Sequence, residues 1–219
     1  MMERFICVLI GYVFGLFQTG YLYGKIKHLD IRDYGSGNAG TTNTMRVLGK
    51  KAGIITYLGD CLKAVFAILV IYLIYKDKCA DMIFVLKMYA GLGVILGHNF
   101  PFYMKFKGGK GIAATSGVLI GLGDWKLMLL ALITFVIVTS LSKYVSLGSL
   151  CMMAGFFIEF TVFAFVNMLK LNEANRIEAV VLAFVITALA FIKHRANIDR
   201  LIHGNEHKIG QSVSVDSKK

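Results

Sequence analysis

Three hydrophilic, glycine-rich segments interrupt an otherwise apolar chain, and each carries groups able to hold an anion. The first, GSGNAGTTNTMRVLGKKAG from Gly35, sets Gly35, Gly37 and Gly40 around Ser36 and Asn38, followed by Thr41, Thr42, Asn43 and Arg46. Glycines let backbone N–H groups approach an anion without a Cβ in the way. Hydroxyls and amides add donors. The pattern turns helical from about Thr42, so a helix N-terminus would face the same anion. Arg46, about one turn further on, can fork onto a phosphate. The same residues also suit a tight solvated turn.

The second segment, FPFYMKFKGGKG from Phe100, sets Lys105, Lys107 and Lys110 beside Gly108, Gly109 and Gly111. It is similar to a phosphate cradle but is not a Walker A loop, because Gly111 stands where that motif needs Ser or Thr. The bland reading is a basic juxtamembrane loop against anionic lipid. The third segment, HRANIDRLIHGNEHKIG, offers His194 and Asn197 on one helical face, then Arg195, Asp199, Arg200, Glu206 and His207. Its HxxxxD spacing matches an unrelated acyltransferase pattern, but such a pair arises often by chance. A span-end histidine is also commonly a cap. Asp60 and Lys63 sit three apart inside an apolar run. They either neutralise each other as structure or extend a polar site inward. His98 and Asn99 either orient the second segment or cap the span before it. Glu159 and Lys87 are lone charges in spans and receive no role.

The elements that must position these groups are membrane spans. Of 219 residues, 57% are hydrophobic, 17% are charged, and the mean hydropathy is +0.66. A soluble domain would be about half apolar and about a quarter charged. Apolar runs cover Phe5–Tyr23, Ala52–Tyr75, Met82–Leu96, Ile112–Leu122, Leu127–Leu141, Val145–Leu169 and Ala179–Ile192. The expected fold is therefore all-α: a polytopic helical bundle of about seven transmembrane helices in a single domain, 1–210, with a polar, disordered tail, 211–219. Ile112–Leu122 is short for a full crossing of roughly 20 residues. It is either re-entrant or crosses with help from its flanks. Met1–Tyr23 lacks a basic leader region and a small-residue cleavage signal, and reads as a retained first span.

Sixteen Lys and Arg fall in the connections that hold the three segments and in Lys143, against five in the alternate connections. Positive-inside sorting then puts the N-terminus outside, the C-terminus in the cytoplasm, and all three segments on one cytoplasmic face. The net charge of +11 lies between spans, so nucleic acid is a poor partner and anionic substrate or lipid a good one. Cys7, Cys61, Cys79 and Cys151 show neither close pairing nor CxxC spacing, which leaves no disulfide framework and no metal site.

GSGNAGTTNTMRVLG, GHNFPFYMKFKGGKGIA and HRANIDRLIHGNEHKIG, in that order, resemble the three motifs of the bacterial acyl-phosphate:glycerol-3-phosphate acyltransferases, the PlsY family. Asp60-Cys61-Leu62-Lys63 is similar to that family's DxxK on the second span. The resemblance spans nearly the whole chain. It implies a seven-span inner-membrane enzyme that moves a fatty acyl group from acyl phosphate to the 1-hydroxyl of sn-glycerol 3-phosphate, without a cofactor, giving lysophosphatidic acid and phosphate. It also implies Ser36 and Arg46 as essential phosphate-gripping residues supported by Thr42 and Asn43. Gly108-Gly109-Lys110-Gly111 becomes the acyl-phosphate loop, with Lys107 nearby. His194 and Asn197 become active-site residues, and Glu206 a supporting one. Ala196 stands where relatives often carry a polar residue. A small organic-phosphate transporter would share the spans and the basic mouth, but no internal repeat is visible. A phosphatidyl transferase would call for an acidic metal motif that the sequence lacks.

Overall fold

The computed structural model describes residues 1–211, which form ten α-helices joined by loops and short 3-10 turns, with no strand. The helices are α1 (Met2–Gly15), α2 (Thr19–Ile26), α3 (Thr41–Leu48), α4 (Lys50–Tyr75), α5 (Ile83–Asn99), α6 (Ile112–Leu122), α7 (Trp125–Ser142), α8 (Val145–Phe165), α9 (Arg176–Lys193) and α10 (Arg195–Ile202). Six stretches are long and apolar enough to cross a membrane, and α6 is a seventh, shorter apolar helix. The all-helical membrane bundle expected from hydropathy is what forms. The tail assigned to 211–219 lies, apart from Gln211, outside the described residues.

One expected span changes for a physical reason. The first span is not continuous. It breaks between Gly15 and Thr19, and α2 continues the path. Gln18 leaves the helical region (φ −104°, ψ 88°), which frees carbonyls at the end of α1. In an apolar surround such carbonyls need partners. The Lys63 ammonium reaches the Phe17 carbonyl at 2.5 Å and that of Gly15 at 3.4 Å. The buried Gln18 amide donates to Gly15 O at 3.1 Å, Gly97 O at 3.4 Å and His98 O at 3.1 Å.

The short helix α6 keeps its expected bounds, Ile112–Leu122. With 11 residues it is only about 16 Å long. Even so, it carries the chain from one end of the bundle to the other. Its N-terminal Gly111 packs against Asn99 at the end of α5, and its last carbonyl, Leu122 O, accepts from Lys87 near the start of α5 at 2.8 Å. Lys126, just beyond, reaches Met168 O after α8 at 3.0 Å, again at the far end. Lys87, unassigned from sequence, thus caps a helix that ends short.

The tightest packing is between α1 and α5, parallel neighbours that approach backbone to backbone. Gly11 and Gly15 of α1 face the carbonyls of Ala90 and Val94, and Gly93 and Gly97 of α5 face those of Val8 and Tyr12. These are two GxxxG pairs, GYVFG and GVILG, set against each other. Small residues at this spacing are what lets membrane helices pack without a hydrophobic drive between them. A second, small core lies at the same end as the polar segments. Ile31, Tyr34, Ala39, Val47 and Met104 are buried together, binding the first segment to the second.

A methyl added at Gly93 meets the Val8 carbonyl, whereas one at Gly155 finds ordinary contact at 3.5 Å. We expect Gly93→Ala to lower the melting temperature in detergent by roughly 2–12 °C and Gly155→Ala to leave it nearly unchanged. Equal melting of the two would contradict backbone-level packing of α1 on α5.

Candidate active site

The first segment becomes a loop, Gly35–Gly40, that runs into the N-terminus of α3. Gly35 adopts φ +56°, and a side chain there would strike the Asn43 carboxamide. Asn43 is 1% exposed and wholly taken up by the loop's backbone. Its Nδ2 donates to Ile31 O at 3.0 Å and Tyr34 O at 3.1 Å, and its Oδ1 accepts the Ser36 N–H at 2.8 Å. Asn43 therefore shapes the loop and has no donor left for an anion. Ser36 is held by its backbone, and among the described residues its hydroxyl has no partner. Thr42 is partly exposed at the opening turn of α3. Its neighbour Thr41, named among the segment's donors but given no role of its own, carries a buried hydroxyl without a partner among the described residues.

The second segment is pinned by the residues before it. The Gly109 N–H donates to His98 O at 3.1 Å and the Gly108 N–H to Asn99 O at 3.3 Å. His98 and Asn99 thus orient this loop, one of the two roles open to them from sequence. Gly111, at φ +87°, then starts α6. Asn99 is fully buried with both amide atoms unpartnered. Lys193 closes the seam by donating to Asn99 O at 2.9 Å.

The third segment folds back over the other two. The Lys110 ammonium donates to Asn197 Oδ1. Asn197 Nδ2 donates to Glu206 Oε1 at 2.9 Å, and Arg200 Nε donates to Glu206 Oε2 at 2.8 Å. Arg46 reaches His207 O at 3.3 Å. His194, 3% exposed, donates from Nδ1 to Ala190 O at 2.7 Å. Its Nε2, left without a partner among the described residues, is an acceptor. All three segments therefore meet at one end of the bundle.

Charge in this cluster is lopsided. Burial is the main influence on the Lys110 ammonium, and Arg200, Arg46 and Lys193 push the same way against Glu206, so its pKa falls to about 8. Burial also lowers Arg46. His194 is depressed to about 4, by burial first and then by Lys110, and so is neutral at physiological pH. Lys107 does not join the group. It is exposed and lines a separate cleft with Arg32 and Tyr103.

Asp60 and Lys63 form a buried pair below the cluster, 2.8 Å apart. Lys63 Nζ lies 2.9 Å from His98 Nδ1, and Thr19 donates to Asp60 Oδ1 at 3.2 Å. Through His98 this pair underpins the second segment. It does not line the opening. Gln18 and Thr19 belong to this machinery and went unread in the sequence, although adjacent Gln and Thr inside an apolar span require partners. Arg200, named in the third segment without a role, braces Glu206.

A family model described as glycerol-3-phosphate acyltransferase matches residues 5–204. A glycerol-3-phosphate acyltransferase of Thermoanaerobacter sp. (strain X514) is 37% identical over 98% of this chain and 100% of its own length. One from Clostridioides difficile (strain 630) is 38% identical over 94% of this chain and 95% of its own. Two crystal structures of PlsY, an integral membrane glycerol 3-phosphate acyltransferase, share the fold. The glycerol 3-phosphate form gives a TM-score of 0.80 at 34% identity, covering 94% of this chain and 96% of that one. The lysophosphatidic acid form gives 0.78 at 33%, covering 95% and 96%.

Lys63→Met leaves the Asp60 carboxylate buried beside groups that do not neutralise it. We expect a loss of about 3–5 kcal/mol, seen as a lowered melting temperature. Asp60→Asn with Lys63→Met together should recover part of that loss. A double variant no better than the single would rule out the pair as the reason.

Proposed function

The chain belongs to the glycerol-3-phosphate acyltransferase family, and from that footing we propose that its polar end cluster transfers an acyl group from acyl phosphate to the 1-hydroxyl of sn-glycerol 3-phosphate. The observation that carries this reading is the junction of Lys110, Asn197, Glu206 and Arg200 beside Arg46, which joins the three segments in one cationic recess.

Both reactants are anions, so their mutual repulsion is the first obstacle. Arg46 and Lys110 supply positive charge. The N–H groups at the openings of α3 and α6 supply donors in fixed positions. Ser36, Arg46 and Thr42 take the glycerol phosphate, with Asn43 keeping Ser36 in place. The Gly108–Gly111 loop with Lys110 takes the acyl phosphate. Asn197, braced by Glu206, directs the Lys110 ammonium. Attack forms the ester bond between the glycerol oxygen and the acyl carbon, and the bond from that carbon to the phosphate oxygen breaks. The departing phosphate accepts the hydroxyl proton. His194, with Nδ1–H tied to Ala190 O, offers Nε2 as an acceptor that aims the hydroxyl. A group with pKa about 4 is a weaker proton acceptor than a phosphate whose second pKa is about 6.

The cluster faces the cytoplasm of a bacterial inner membrane in this reading, with the N-terminus outside. Support comes from the excess of Lys and Arg at that end. A cysteine placed at the exposed Asn205 should react with an impermeant thiol reagent only after cells are opened. Labelling of intact cells would reverse the orientation.

The direct test is purified protein with labelled glycerol 3-phosphate and palmitoyl phosphate, which should yield lysophosphatidic acid. No product would end this reading. In that assay His194→Gln should keep most of its turnover, and a fall of a hundredfold or more, about what losing a general base produces, would make the histidine the base.

Lys110 is charged below its pKa of about 8 and loses charge above it. kcat/KM for acyl phosphate should therefore decline above about pH 8. Lys110→Arg should move that limb up by more than about one unit, because guanidinium stays charged. An unmoved limb would remove Lys110 from the substrate contacts.

A further inference from the structure

A second cleft, of about 460 Å³, opens at the same end of the bundle as the catalytic cluster and is lined by Arg32, Asp33, Gly37, Tyr103, Lys105 and Lys107 together with Met104. Neither Arg46, Lys110, His194, Asn197 nor Glu206 contributes to it. Its chemistry is that of a membrane–water boundary. Phe102 is 58% exposed, Tyr103 46% and Phe106 60%, and they alternate with Lys105 and Lys107 along one loop. Lys25 and Arg32 both sit over the ring of Tyr21, at 5.4 and 5.0 Å, next to Tyr103. Aromatic side chains interleaved with basic ones are the usual companions of headgroups.

The charge balance favours an anion. Arg32 is held by Asp30 through Nε at 3.0 Å and Nη2 at 2.7 Å, and reaches Met104 O through Nη1 at 3.3 Å, so it is a fixed wall. Asp33 is exposed at the rim. Lys105 and Lys107 are exposed and have no carboxylate partner among the described residues. The loop that presents them is strained as well. Lys105 and Phe106, adjacent and neither of them glycine, adopt φ of +55° and +59°. Such conformations are unfavourable and gather at ligand clamps.

We propose that this cleft binds the phosphate of an anionic phospholipid in the adjoining leaflet, with Lys105 and Lys107 on the phosphate and Phe102 and Phe106 against its glycerol and upper acyl chains. Gly37, on the cleft wall, neighbours Ser36, so the occupant rests against the loop that positions the catalytic serine. The lipid environment thereby reaches the active site through the backbone.

The test uses the intact protein in nanodiscs of phosphatidylcholine doped with phosphatidylglycerol, with lipids retained on the protein counted by native mass spectrometry. Wild type should retain phosphatidylglycerol in preference to phosphatidylcholine. Lys105→Gln should reduce that retention about fivefold, and Lys105→Arg should preserve it. As a measurement that needs no variant, the melting temperature of wild type in neutral detergent should rise on adding phosphatidylglycerol and not on adding phosphatidylcholine. The proposal is overturned by unchanged retention in Lys105→Gln, by equal loss of both lipids, or by no lipid-specific rise in melting. It is also overturned if Lys105→Gln raises the KM for glycerol 3-phosphate in lipid-free detergent as strongly as it lowers lipid retention, because the cleft would then serve the soluble substrate.

Discussion

One buried ammonium decides how the polar end of this bundle can exist. Lys63 lies 4% exposed in an apolar helix, and its charge is balanced by Asp60 three residues earlier. Its other two N–H groups are shared among the carbonyls of Phe17 and Gly15 and His98 Nδ1. A helix broken inside an apolar layer is unstable unless its freed carbonyls are taken up. Lys63 takes up two of them, so the first span can bend where it does. The bend sends α2 off to begin the first polar segment, while His98 carries the same network into the second. The pair's cost in desolvation is offset by this set of contacts, not by attraction alone.

Around that anchor the molecule divides its labour. The α1–α5 seam supplies rigidity through four glycines whose neighbours are backbone atoms. The cluster above it is left electrostatically incomplete. Burial first, and then repulsion from Arg200, Arg46 and Lys193 against Glu206 as the nearby counter-charge, pushes the Lys110 pKa down to about 8. In the proposed reaction two phosphorylated substrates would relieve that excess, so the recess suits the charges that arrive with them.

Much of this was legible in the residues. The apolar runs, the order of the three motifs and the loop glycines identify a helical membrane acyltransferase, because hydropathy and backbone-approach requirements are written locally. The GxxxG pairs at Gly11–Gly15 and Gly93–Gly97 were equally present in the sequence, though their meaning depends on which helices pair. Asn43 shows the opposite case. Its type suggested a ligand contact, but burial and three hydrogen bonds make it the scaffold of the Ser36 loop. Lys107 and Lys110 sit three apart in one basic run, yet the turn of the loop sends them to different clefts.

What the sequence determined by itself was the solvent each stretch prefers and the chemistry each motif can perform, since both follow from side-chain type at short spacing. Only the tertiary structure decided which polar groups are already spent on one another. It broke the first span at Gln18, carried the chain to the far end through an 11-residue helix capped by Lys87, and brought Lys110 to Asn197 across 87 positions of chain. Those outcomes depend on long-range satisfaction of buried donors and acceptors, and no local pattern encodes a partner that distant.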